Sequence, residues 1–287
     1  MGFMKLKVTI VGLGLIGGSL GMAIRKKKLA RVIGLTSDET KAAQAVKIGA
    51  VDYASTNLRG LMQDADIIFI CYPIEHIISE LRKIMPYVKR GAIITDVGSS
   101  KGMIVKEAEK ISRKHIFFVG GHPMAGKEKT GLEHADSDLF VGNNYILTKT
   151  AKTDMKSLDF LKSFISKLGA KVQVLAPDVH DSMVAGISHM PVAVASALVD
   201  SVMSAGRSGR AMAKFAASGF RDATRIASGD PDLGTGMFVT NKKAVLSSLN
   251  SFKRSLSSIE KLIKRGDPAE IRSKLSHIKG FRDSLYK

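Results

Sequence analysis

From Lys5 to about Leu175, short apolar runs alternate with amphipathic stretches. KVTIVG near Val8, RVIGL near Ile33, DIIFICY near Ile68, GAIITDV near Ile94, HIFFVGG near Phe118, YILT near Ile146 and KVQVL near Val174 read as strands, because each is rich in β-branched or aromatic residues. The spacers suit crossover helices, so the pattern predicts a doubly wound, mostly parallel α/β sheet of the Rossmann-like kind over residues 1–175. After Pro177 the strand pattern stops, and residues 176–287 read as an all-helical C-terminal domain.

Two helical stretches stand out there. The run from Val184 to about Met203 is almost wholly apolar but is interrupted by His189, Pro191 and Asp200, and it reads as a buried core helix rather than a membrane span. Val245, Leu249, Phe252, Leu256, Ile259 and Ile263 recur at steps of three and four, which predicts one long amphipathic helix closed by Gly266. Side by side, such faces suit an interface between two copies, so a homodimer through the helical domain is expected.

Composition narrows the class. The opening MGFMKLKVTI has too short an apolar run for a secretory signal, and a cytoplasmic protein is expected. With Cys71 as its single cysteine the chain has no disulfide framework, and no histidine spacing suggests a metal site. The net charge of +18 divides as +11 through residue 175 and +7 beyond it. No basic tract or recognition motif accompanies it, so anionic small ligands are the expected partners rather than nucleic acid.

The first strand runs into Gly12-Leu13-Gly14-Leu15-Ile16-Gly17 and then a helix. Gly12 permits the tight turn, Gly14 leaves room for a pyrophosphate and Gly17 lets helix and strand pack closely, which predicts a dinucleotide site. Tyr72 and Pro73, directly after the DIIFI strand, are further candidates for cofactor contact. The second strand ends at Thr36 and Ser37, with Asp38 the first acidic residue. A carboxylate that would repel a 2′-phosphate is thus missing from the usual place, which tilts the expectation toward NADP over NAD, with Asp38 still a candidate for the ribose.

Reactive residues gather at other strand ends. His122, in Gly120-Gly121-His122-Pro123, is a candidate general base or else a histidine held in a tight turn. Ser99, in DVGSSKG, either orients that ring, binds a hydroxyl or caps a helix. Arg225 follows Asp222 by three residues, so on a helix the two share a face; the arginine then suits a carboxylate, unless the pair is an ordinary surface one. Cys71 reads as a small core residue, and His180 beside Asp181 as a packed or capping pair.

The GLGLIGGS loop, DVGSSKG, GGHPMAG, SHMP and GFRDATRIASGDP, in that order, resemble the prephenate and arogenate dehydrogenase family of tyrosine biosynthesis, over almost the whole chain. The resemblance implies oxidative decarboxylation of a cyclohexadienol with hydride transfer to NAD(P). It makes His122 the base, Ser99 its assistant, Arg225 the carboxylate-binding arginine and His189 a second histidine lining the pocket. Lys127, where some members carry Thr, and Asp222 complete the expected substrate contacts. The implied substrate is prephenate, a dianion, or alternatively arogenate. Another NAD(P)-dependent hydroxy-acid dehydrogenase explains the glycine loop but has no need of both GGHPMAG and the arginine segment, and a nucleotide-sensing, nucleic-acid-binding protein fits neither.

Overall fold

A computed structural model describes residues 6–127 and 129–285, and the chain divides into two compact units, residues 1–242 and 243–287. In the first unit, β1 (Lys7–Val11), β2 (Arg31–Leu35), β3 (Tyr53–Ser55), β4 (Ile67–Ile70), β5 (Ile93–Asp96) and β6 (Phe117–Val119) form one sheet in the order β3-β2-β1-β4-β5-β6. Every pairing in it is parallel. The crossovers carry α1 (Leu15–Lys26), α2 (Glu39–Lys47), α3 (Leu58–Met62), α4 (Ile77–Ile84) and α5 (Gly102–Ile111).

Both sheet faces are covered, which is why the strands read as continuous apolar runs. Val8 and Ile10 pack with Leu20 and Ile24 of α1 on one side. Val11, Ile68 and Ile94 pack with Ile77 and Leu81 of α4 on the other. The chain travels outward from β1 to β3, then returns to β4 beside β1. That reversal opens a crevice at the carboxyl ends of β1 and β4, where such sheets bind ligands.

Two features differ from the sequence-based expectation. The YILT and KVQVL runs do not extend the large sheet: β7 (Gly121–Pro123), β8 (Asn144–Thr148) and β9 (Lys171–Leu175) form a second sheet, with β7 antiparallel to β8. Strand β3, only three residues long, has no pattern that periodicity can detect. α6 (Met155–Ser166) joins β8 to β9.

The helical part of this unit comprises α7 (Pro177–Val184), a single π-type turn at Ala185–His189, α8 (Met190–Met203), α9 (Gly206–Ala213), α10 (Ser218–Thr224), a 3-10 turn at Arg225–Ser228 and α11 (Pro231–Thr240). The expectation of a buried core helix at 184–203 is not met: α8 buries only Ala195, while Met203 is 71% exposed. Pro177–Met203 is long and apolar enough to cross a membrane by length and composition, with 22% of its apolar window buried. Yet the same stretch carries the buried polar residues His180, Asp181 and His189.

The second unit contains α12 (Lys242–Arg265) and α13 (Pro268–Ser284). Gly266, at φ +69°, closes α12 as the sequence predicts. Asp267 then caps α13 by accepting from the amides of Ala269 and Glu270.

Candidate active site

The glycine loop sits at the end of β1. Gly12 has φ +98°, and a Cβ there would lie 2.6 Å from the Cys71 carbonyl oxygen and 2.9 Å from Cδ2 of Tyr72, so both backbone and space require glycine. A methyl at Gly17 would collide with the Gly12 carbonyl. Gly14 faces nothing within 4 Å. It is also the N-cap of α1, which has no capping side chain and no acidic residue in its first turn. A helix start left uncapped beside an open glycine suits an anionic pyrophosphate, so these residues fit a dinucleotide.

Thr36 is buried and Ser37 exposed at the end of β2. The Asp38 carboxylate accepts from the amides of Thr40 and Lys41 at 2.8 and 3.3 Å, capping α2. It serves the helix first. Tyr72 lies against Gly12, and Pro73 starts the turn that leads to α4. Burial pushes the Cys71 thiol up, away from thiolate chemistry.

The reactive cluster is built at the ends of β5 and β6. The loop after β5 is tied down by Asp96, whose Oδ2 accepts from the Gly98 amide at 2.8 Å and pairs with Lys101 Nζ, both side chains being fully buried. Lys101 Nζ also donates to the Gly121 carbonyl at 2.7 Å, and Gly121 N donates to Asp96 Oδ1 at 3.1 Å. A buried charge pair thus fixes the backbone one residue before His122. Burial pushes the Lys101 ammonium down, and Asp96 opposes this.

His122 therefore lies in the short strand β7 rather than in a loop, paired with Ile146 of β8. Its Nδ1 is 2.8 Å from Nε2 of His180, and His180 Nδ1 is 2.8 Å from Asp181 Oδ1. The Asp181 carboxylate also caps α5, accepting from Lys101 N at 2.6 Å and Gly102 N at 2.8 Å. His180 and Asp181, read from the sequence as a packed or capping pair, do cap a helix, and they also reach His122. No sequence signal marks that contact, because its partners lie 58 residues apart.

The π-type turn aims His189 inward, where it is fully buried. The Asn241 amide donates to the Asp181 carbonyl at 2.8 Å, and the same nitrogen is 3.2 Å from His189 Nδ1. An amide nitrogen only donates, so His189 Nδ1 accepts and its proton resides on Nε2. Among the described residues, Thr95 Oγ1, Ser99 Oγ, Tyr145 Oη and His189 Nε2 are buried without a hydrogen-bond partner. Burial, with repulsion from His180, Lys101 and His189, holds His122 well below the usual histidine range. Burial likewise pushes His189 down to about 4, against the pull of Asp181. Both rings are neutral near neutral pH.

Arg225 lines a polar cavity of about 740 Å³ together with Lys127, Lys129, Glu133 and His134. Lys127 Nζ is held there by Asp136 at 3.0 Å and by the His134 carbonyl at 3.3 Å. Asp222 is exposed and meets Arg221 Nε at 3.3 Å. α10 ends at Thr224, and the chain tightens into a 3-10 turn at Arg225. No cluster suited to a metal occurs among the described residues.

Comparison with known proteins places this geometry. The nucleotide-binding domain of prephenate dehydrogenase matches as a family over residues 20–174, and the prephenate dehydrogenase dimerization domain over residues 176–277. The prephenate dehydrogenase of Bacillus subtilis (strain 168) is 33% identical over 99% of this chain and 77% of its own length. Among solved structures, Synechocystis arogenate dehydrogenase is 37% identical with a TM-score of 0.86, covering 98% of this chain and 100% of that one. The prephenate dehydrogenase from A. aeolicus in complex with hydroxyphenyl propionate and NAD+ is 32% identical with a TM-score of 0.92, covering 99% and 100%. With a glycine cradle, a buried histidine at a sheet end and family matches spanning both parts of the sequence, the chain belongs to the prephenate dehydrogenase family.

Proposed function

We propose that this chain is a prephenate dehydrogenase, converting prephenate to 4-hydroxyphenylpyruvate and carbon dioxide in tyrosine biosynthesis. The observation that carries the reading is His122, buried at the end of the sheet with Nδ1 on His180 and held well below the usual histidine range by burial and by His180, Lys101 and His189. Nicotinamide, bound with its pyrophosphate at Gly12–Gly17, supplies a hydride acceptor. His122 takes the proton of the ring hydroxyl as hydride leaves the same carbon, and returns it to the phenolic oxygen once carbon dioxide has departed. Ser99 holds the hydroxyl, His189 donates from Nε2, and Arg225 with Lys127 binds carboxylate. Asp222 lies outside this set, on the exposed face of α10.

Arogenate is the second reading, favoured by the 37% identity to the Synechocystis arogenate dehydrogenase. For the cofactor we favour NADP: Thr36 and Ser37 replace a carboxylate, and Asp38 is already engaged at α2. We divide the chain into a dinucleotide-binding part, 1–175, and a helical substrate and dimerisation part, 176–287, a reading supported by separate family matches over residues 20–174 and 176–277. A cytoplasmic homodimer covers the exposed apolar residues of α8. Product analysis tests the reaction: one 4-hydroxyphenylpyruvate must appear per reduced nicotinamide, whereas tyrosine from arogenate alone would favour the second reading. Titration with NAD and NADP separately tests the cofactor assignment.

A further inference from the structure

We propose that His180, held by Asp181, is a positioning residue that fixes the tautomer of His122 and leaves the His122 Nε2 lone pair free as the base. The inference rests on the reading of His122 as that base. It follows from which atoms are able to donate. The Asp181 carboxylate only accepts, and it already takes the amides of Lys101 and Gly102. His180 Nδ1, 2.8 Å from Oδ1, must therefore carry a proton. In a neutral His180 the other nitrogen, Nε2, is then an acceptor. His122 Nδ1 lies 2.8 Å from it and must donate, which leaves Nε2 of His122 unprotonated.

The rings meet edge to face, with centroids 5.1 Å apart and planes at 74°, so rotation of either ring would break the contact. Backbone motion is restrained as well, since Lys101 and Asp96 grip Gly121 from both sides. His180 is fully buried with both nitrogens engaged. A merely space-filling residue on α7 would require neither nitrogen. When His122 accepts a proton, the imidazolium already has an acceptor behind it, and that acceptor is backed by a carboxylate.

The test uses full-length protein labelled with 15N at histidine, of which there are seven, with the His122→Asn spectrum assigning the signal. In the unliganded wild type, His122 should show a protonated Nδ1 and an unprotonated Nε2. His180→Asn keeps a donor for Asp181 but does not reach His122; kcat should fall by about 10–100-fold with the KM values for substrate and cofactor unchanged, and His122 should lose its single tautomer. His180→Gln, whose amide oxygen reaches the place of Nε2, should recover most of that loss. A wild-type His122 protonated at Nε2 overturns the proposal, whether or not the variants fold. So does an unchanged kcat in folded His180→Asn. The tautomer is read without turnover, so a correct tautomer in a protein inactive on prephenate and arogenate would refute the function and leave the positioning role standing.

Discussion

His122 and His180, on the second sheet and on α7, face each other through ring nitrogens 2.8 Å apart. The contact joins β7, which carries His122, to α7. Substituting His122→Asn removes the proposed base but leaves the glycine cradle untouched. Turnover should fall by at least about 100-fold, while dinucleotide binding, followed by fluorescence titration, stays at the wild-type value.

Arg225 stands on the wall of the polar cavity with Lys127. A charged hydrogen bond to a substrate carboxylate contributes about 1.5–3 kcal/mol, so Arg225→Ala should raise the substrate KM by roughly 10–150-fold with a smaller change in kcat. Steady-state kinetics at saturating cofactor checks this; an unchanged KM would remove Arg225 from the site.

Two glycines of one loop should behave differently. At Gly14 an added methyl meets no protein atom within 4 Å, so Gly14→Ala should fold normally yet bind dinucleotide weakly, because the methyl occupies ligand space. At Gly17 the methyl meets the Gly12 carbonyl, so Gly17→Ala should lower Tm as well. Thermal melts with and without cofactor separate the two effects.

The Lys101–Asp96 pair is buried on both sides. Breaking such a pair strands a charge and costs about 3–5 kcal/mol. Lys101→Met should shift the urea midpoint downward by a corresponding amount, and the double variant with Asp96→Asn should recover part of it.

His122 and His189 both titrate lower in the folded chain than in the unfolded one. Between the ordinary histidine value of 6.5 and the value of about 4 at His189, the unfolded chain binds more protons, so stability rises with pH through this window. The contribution is complete above 6.5 and is lost as pH falls toward 4. Melting temperature should therefore decline across that range, and the acid limb of kcat should lie below 6.5.

The sheet and the glycine loop were legible because buried parallel strands leave apolar runs and a dinucleotide turn demands glycine at fixed positions. His122 stood out through its glycine neighbours, although its place in β7 did not, since three residues carry no period. The partnership of His122 with His180 and Asp181, and that of Asn241 with His189, were not legible because only the tertiary fold brings those segments together. The apolar run at 184–203 misled for a different reason: hydrophobicity indicates that a surface is to be covered, without indicating which chain covers it.

The central claim is tested most directly by following reduced nicotinamide in four parallel assays, pairing prephenate or arogenate with NAD or NADP. Turnover of prephenate with NADP as the better cofactor is predicted, with loss of activity in His122→Asn. A folded protein that reduces neither cofactor with either substrate would contradict the account.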